Sequence, residues 1–277
     1  MLALRHAYEE RQLTEQSGSA RKNSVMVQAP ADLRVEQYLT LISQPPGPEQ
    51  KRFGLATVSA LVIALIVVVG PLSSMGLPAN PGLAAAIILS MAVIELITAM
   101  LLYAHFSILG SAAVAMLASG YLFAALLSIA WMLAFPGVFE PLGVFGSGLQ
   151  TALWLRILRQ IALPCFVIAY VLLKDGPRPE QMPKFSRGSV ILASSAGAAI
   201  LVCAVTILVV VRDELLVSVM LDPVHPSRRW SVVPALVPIL VTLIALGLLW
   251  FRQRSVLDLW LMVVMSVFFI TSDPTQL

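Results

Sequence analysis

Three ionisable side chains fall deep inside long apolar runs. Glu95 stands in VIELITAMLLYAHF, and Arg156 and Arg159 stand in LWLRILRQIALP. A charge at membrane depth is costly, so such residues face a bundle interior, pair with one another, or mark a ligand or proton path. A carboxylate and a guanidinium can form an ion pair, hold a charged ligand or relay a proton. If both runs cross a bilayer in the same direction, Glu95 is about 13 residues from the outer end and Arg159 about 8, a depth difference of about 7 Å. An arginine side chain reaches that far, so a Glu95–Arg159 pair follows wherever the two helices are neighbours. Most such pairs only hold helices together, and a minority bind something.

The other chemically capable residues are weaker candidates. Thr98 shares a helix face with Glu95, but a threonine in a span more often bonds its own backbone or a neighbouring helix than a ligand. His105 falls at the end of its run, far in sequence from His6 and His225. No metal cluster assembles from these, and no histidine lies at membrane depth to hold a haem. The expected cofactor list is therefore empty. Cys165 and Cys203 differ in depth by about 10 Å, too much for a disulfide, and read as small apolar core residues. Asp258, close to Arg252 and Arg254, reads as a helix-starting carboxylate at the membrane interface. No nucleotide-binding, metalloprotease or hydrolase motif is present, so the sequence reads as non-enzymatic.

The elements that position these residues are set by composition. Of 277 residues, 58% are hydrophobic and 12% charged. Mean hydropathy is +0.88. A soluble domain carries about 25% charged residues, so this chain has too few polar residues to cover a water-facing surface. The net charge of +3 is too small to argue for nucleic acid. The expectation is an all-α polytopic transmembrane bundle, because continuous apolar runs in lipid must satisfy their backbone internally. Six full spans are predicted over roughly 54–73, 82–104, 111–135, 151–173, 189–211 and 232–251. A short seventh run begins at Val256. Segment 1–50 reads as a polar, mostly disordered cytoplasmic tail with no signal peptide. Residues 51–271 form the membrane domain, and 272–277 a short polar end.

Orientation follows from basic residues in short loops. With the N-terminus inside, 13 Lys/Arg lie on the inner side and 3 on the outer. The Gly-rich segment 136–150 is then an external loop, with Pro136-Gly137 as a turn, and Arg228-Arg229-Trp230 an interfacial anchor. No internal repeat of the inverted-transporter kind is evident.

Several stretches resemble a known family. In ELITAMLLYAHF, Glu95, Thr98 and Ala99 match its acidic-Leu-Ile-Thr-Ala motif. Gly120, Tyr121, Leu122 and Phe123 match its GYLF, and Phe135, Pro136, Gly137 and Phe139 its FPG-x-F. Leu257, Asp258, Leu259 and Trp260 match an LDLW near its penultimate helix. The chain resembles, from about 51 to 265, the fourth class of bacterial membrane-associated sensor (MASE) domains. These are input modules of diguanylate cyclases and histidine kinases. Two departures stand out. Trp131 and Gln160 occupy places where relatives carry histidines, and Arg159 replaces a tryptophan. The likeness fades after Val264, with neither a final helix nor a catalytic output, so the sequence reads as a truncated relative or one whose output lies on another chain.

The resemblance implies a signal-sensing domain of the bacterial inner membrane. Its partners would be the lipid bilayer, an unidentified small ligand or membrane state, a separate kinase or cyclase chain and, by analogy with such outputs, a second copy of itself. The candidate sensing residues are Glu95, Thr98, Tyr121, Trp131, Arg156 and Arg159. The rival reading is a small transporter or channel subunit using Glu95 and Arg159 as its substrate or proton site.

Overall fold

The computed structural model describes residues 81–139, 144–145, 148–174, 184–211, 220–222, 225–226, 232–252 and 255–271, and scattered positions at 49, 52–57, 59–60 and 63. Among the described residues from 81 onward, six helices follow one another: α1 (Pro81–Leu109), α2 (Ala112–Ala134), α3 (Gly148–Lys174), α4 (Lys184–Val211), α5 (Val232–Phe251) and α6 (Val256–Thr271). The first four are long and apolar enough to cross a membrane, whereas Leu236–Phe251 and Val256–Phe269 are shorter apolar helices. Four of the expected spans are thus long and apolar enough to cross, and the expected span 232–251 is matched by α5 at the same bounds. Of the expected span 54–73, the described positions are helical, and Phe53 packs edge-on against Trp260 of α6 with ring centroids 6.1 Å apart. The polar tail before residue 49, the Arg228–Trp230 anchor and the end after residue 271 lie outside the described residues.

Successive helices run up and down, so Lys174, Arg187 and Arg252 gather at one end of the bundle, called here the basic end. Between α4 and α5 a small antiparallel hairpin pairs β1 (Met220–Asp222) with β2 (His225–Pro226). An all-helical reading did not foresee it, because a two-residue strand containing proline carries no strand pattern.

Helix ends follow local chemistry. Pro81 opens α1, where its missing N–H is no loss. Ser111 precedes α2 in an extended conformation, and its carbonyl accepts from Ala115 N–H at 3.2 Å. Between α1 and α2, Gly110 adopts φ +69°, and its N–H donates to the Phe106 carbonyl at 2.7 Å. That is the left-handed stop for which glycine is favoured. Arg187 of α4 donates to the Ser107 and Ile108 carbonyls at 2.8 and 3.0 Å, taking up acceptors that the end of α1 leaves open. α2 stops before Pro136, and Gly137 (φ +81°) turns the chain as expected. α6 starts with a reciprocal cap: Asp258 N–H donates to Ser255 Oγ at 3.2 Å, and Ser255 N–H to Asp258 Oδ2 at 3.0 Å.

α2 is the centre of the bundle. Its buried positions include Ala113, Ala115, Ala118, Ser119, Gly120, Ala124, Ala125 and Ser128. Small residues let backbones approach where lipid supplies no hydrophobic drive. The tightest approach is at Gly120, where a Cβ would sit 2.5 Å from Phe166 Cβ of α3. One core cluster joins α1, α2, α3, α5 and α6 through Phe106, Leu117, Leu163, Val167, Leu249 and Met265. A second joins α2, α3 and α4 through Phe123, Leu127, Leu155 and Val202. α1 and α4 turn large apolar faces outward, among them Ile94, Leu101, Leu192 and Ile200.

A buried charge ring as the candidate functional site

α1, α2 and α3 each contribute one polar side chain to a closed ring. Arg159 Nη2 donates to Glu95 Oε1 at 2.7 Å. Arg159 Nε donates to Ser128 Oγ at 2.8 Å, and Ser128 Oγ donates to Glu95 Oε2 at 3.1 Å. Glu95, Ser128 and Arg159 are 8%, 0% and 4% exposed. The pair that depth counting allowed is therefore formed. Its third member, Ser128, carried no signal in the sequence, since one serine among the alanines of a span looks like any other small residue.

The ring reaches a further helix. The Arg159 guanidinium carbon lies 5.5 Å from the centroid of the Phe268 ring on α6, a cation–π distance. Both charges are thus paired and the guanidinium plane is covered. A buried pair of this kind is stable only as a unit. Neutralising or drawing away either partner leaves the other charge in a low-dielectric interior, at a cost of several kcal/mol, about 3–5.

The other candidate residues are dispersed. Tyr121 is buried in the core cluster and within electrostatic range of Glu95. Arg156 is partly buried one turn from Arg159, with which it interacts as a like charge. Thr98 Oγ1 donates to the Ile94 carbonyl of its own helix at 2.8 Å. Trp131 packs against the second cluster, as does Trp154. Buried in that half of the bundle, Trp154 Nε1 and Thr206 Oγ1 have no hydrogen-bond partner among the described residues. The cysteines depart from the core assignment. Cys165 and Cys203 are both free and exposed, on helix faces turned out of the bundle. Depth alone does not say which way a helix position faces.

A second polar cluster was not foreseen. Asp258 is fully buried and forms a salt bridge with Lys174 of α3. Tyr170 Oη donates to Asp258 Oδ1 at 2.9 Å, and Lys174 Nζ also donates to the Arg252 carbonyl at 2.7 Å. Asp258 does start its helix, as expected, and it also pairs with Lys174 of α3, a partner far away in sequence. A third polar tie, Tyr103 Oη to Ser194 Oγ at 3.0 Å, joins α1 to α4. Among the described residues, no three His, Cys, Asp or Glu side chains come together to hold a metal ion.

A family model described as membrane-associated sensor, integral membrane domain (MASE4) matches residues 78–277. The match begins later than the likeness over 51–265 and runs past Val264, where the motif likeness fades. Comparisons with curated proteins and with solved structures find no match. With most of its length matched, the chain belongs to the MASE4 family of membrane-associated sensor domains, which are sensing and not catalytic modules.

Proposed function

We propose that this sensor domain acts as an input module of the bacterial inner membrane, with its N-terminal segment in the cytoplasm and the basic end of the bundle facing inward. Its state-dependent centre is the Glu95–Ser128–Arg159 ring. The observation that carries this reading is the burial of one charge pair across three helices, with its cation stacked on a ring of a fourth. A ligand or membrane state that interacts differently with the ring in two packings shifts the population between them. Tyr121 and Arg156 stand next to the ring by electrostatic range and complete the sensing locus. Thr98 lies one turn along α1 from Glu95, and Trp131 packs against the second cluster. The module senses and does not itself catalyse, and it passes its signal, as a homodimer, to a kinase or cyclase output.

The test is made in cells carrying the full chain at equal membrane levels as wild type, Glu95→Gln or Ser128→Ala. Cyclic di-GMP and response-regulator phosphorylation are the readouts for the two kinds of output. The reading expects at least one of them to change by severalfold in Glu95→Gln. If both stay unchanged while purified protein in liposomes conducts ions or protons and Glu95→Gln abolishes that flux, the transporter reading replaces it.

A further inference from the structure

The two polar clusters use one helix pair. α3 supplies Arg159 to one cluster and Tyr170 and Lys174 to the other, and α6 supplies Phe268 and Asp258. The helices run in opposite directions, so the contacts form two rungs. On α3, Arg159 and Tyr170 are 11 residues apart, about 16 Å along the axis. On α6, Asp258 and Phe268 are 10 apart, about 15 Å. The spacings match. Elsewhere α6 packs chiefly on α5 and touches α3 sparingly.

We infer that the Tyr170–Lys174–Asp258 cluster is a latch that sets the axial position of α6, and that through this short rigid helix it is coupled to the Glu95–Ser128–Arg159 ring. This rests on the proposed sensing role of the ring and adds how its state reaches the basic end. The chemistry suits a latch. The Asp258 carboxylate has no solvent exposure and receives the Tyr170 hydroxyl, the Lys174 ammonium and the Ser255 N–H. Three donors on one buried carboxylate give a single deep position. A sliding α6 would lose all those from α3 together and draw Phe268 off Arg159 in the same movement. Conversely, release of Arg159 from Glu95 frees the guanidinium to follow or leave Phe268, which loads the latch from the other end. Tyr170, Lys174 and Asp258 act here as positioning residues.

The experiment uses the full chain in liposomes with Cys165→Ala and Cys203→Ala, both exposed positions. One nitroxide goes on Leu192→Cys, on the exposed face of α4. A second goes on either Val256→Cys or Val264→Cys, at the two levels of α6. Pulsed electron paramagnetic resonance reads each distance. Coupling expects Asp258→Asn to shift the distances at both 256 and 264 by about 1–2 Å or more, and Glu95→Gln to do the same. Adding Phe268→Leu should abolish the effect of Glu95→Gln at 256 while leaving that of Asp258→Asn. If Asp258→Asn fails to insert, Tyr170→Phe carries the same test with a smaller shift. A shift confined to 256 in the latch variants, or none at 256 in Glu95→Gln, overturns the coupling. The sensing role fails separately, through unchanged cyclic di-GMP and phosphorylation in Glu95→Gln cells.

Discussion

The charge ring and the latch are built from the same three kinds of group, a carboxylate, a cation and a hydroxyl, yet they differ in what they join and what covers them. The ring ties α1, α2 and α3 at membrane depth with a guanidinium whose two donors fit two acceptors. The latch ties α3 to α6 at the end of the bundle, with an ammonium that also bonds the Arg252 carbonyl just after α5. A planar guanidinium is preorganised for two simultaneous bonds, whereas an ammonium acts as a compact point charge on a flexible stem. The ring is therefore a fixed joint whose members depend on one another. The latch is a joint with one well-held carboxylate and a movable cation, better suited to making and breaking.

That contrast sets the order of expected effects. Arg159→Met should cost most, about 3–5 kcal/mol, because it leaves Glu95 charged and unpaired in the interior. Adding Glu95→Leu to it should recover most of the loss, since removing both partners of a buried pair is often close to neutral. Lys174→Met should cost less, about 2–3 kcal/mol, because Asp258 keeps the Tyr170 and Ser255 donors. Equal losses for the two cations would erase the distinction between the joints. Ser128→Ala should cost about 1 kcal/mol, within the range of single interhelical hydrogen bonds in membranes. Thr98→Val, which removes only a bond within α1, should change stability by less than about 0.5 kcal/mol. Denaturant titration of the purified protein in mixed micelles measures all five variants on one scale.

Much of the helical framework is legible from apolar run length, because lipid leaves an apolar segment no other way to satisfy its backbone. Helices α2, α5 and α6 begin at or beside the expected positions, marked by Ser111, by the run from Val232 and by Val256. The Glu95–Arg159 pair was legible too, since charges at similar depth have few alternatives. Ser128 was not, because its role exists only once three helices meet. The pairing of Asp258 with Lys174 was not legible for another reason. The carboxylate's neighbours Arg252 and Arg254 offered an easy local explanation, while its partner lies 84 residues earlier. Yet counting the alternating direction of the spans puts Lys174 and Asp258 at the same end, and that reasoning, applied beyond Glu95, would have found the latch. The outward-facing cysteines mark the opposite limit, since depth is readable from one sequence and azimuth is not.

The bend at Gly110 ties distant parts of the gene to one another. A side chain there would meet the Arg187 guanidinium at 3.0 Å, so the first residue to register a change in this tight hairpin belongs to a helix more than seventy positions downstream. Lengthening the bend would strand the arginine as well as loosen the hairpin. Evolution can thus restyle the lipid-facing sides of α1 and α4 freely, but must keep their basic ends in step.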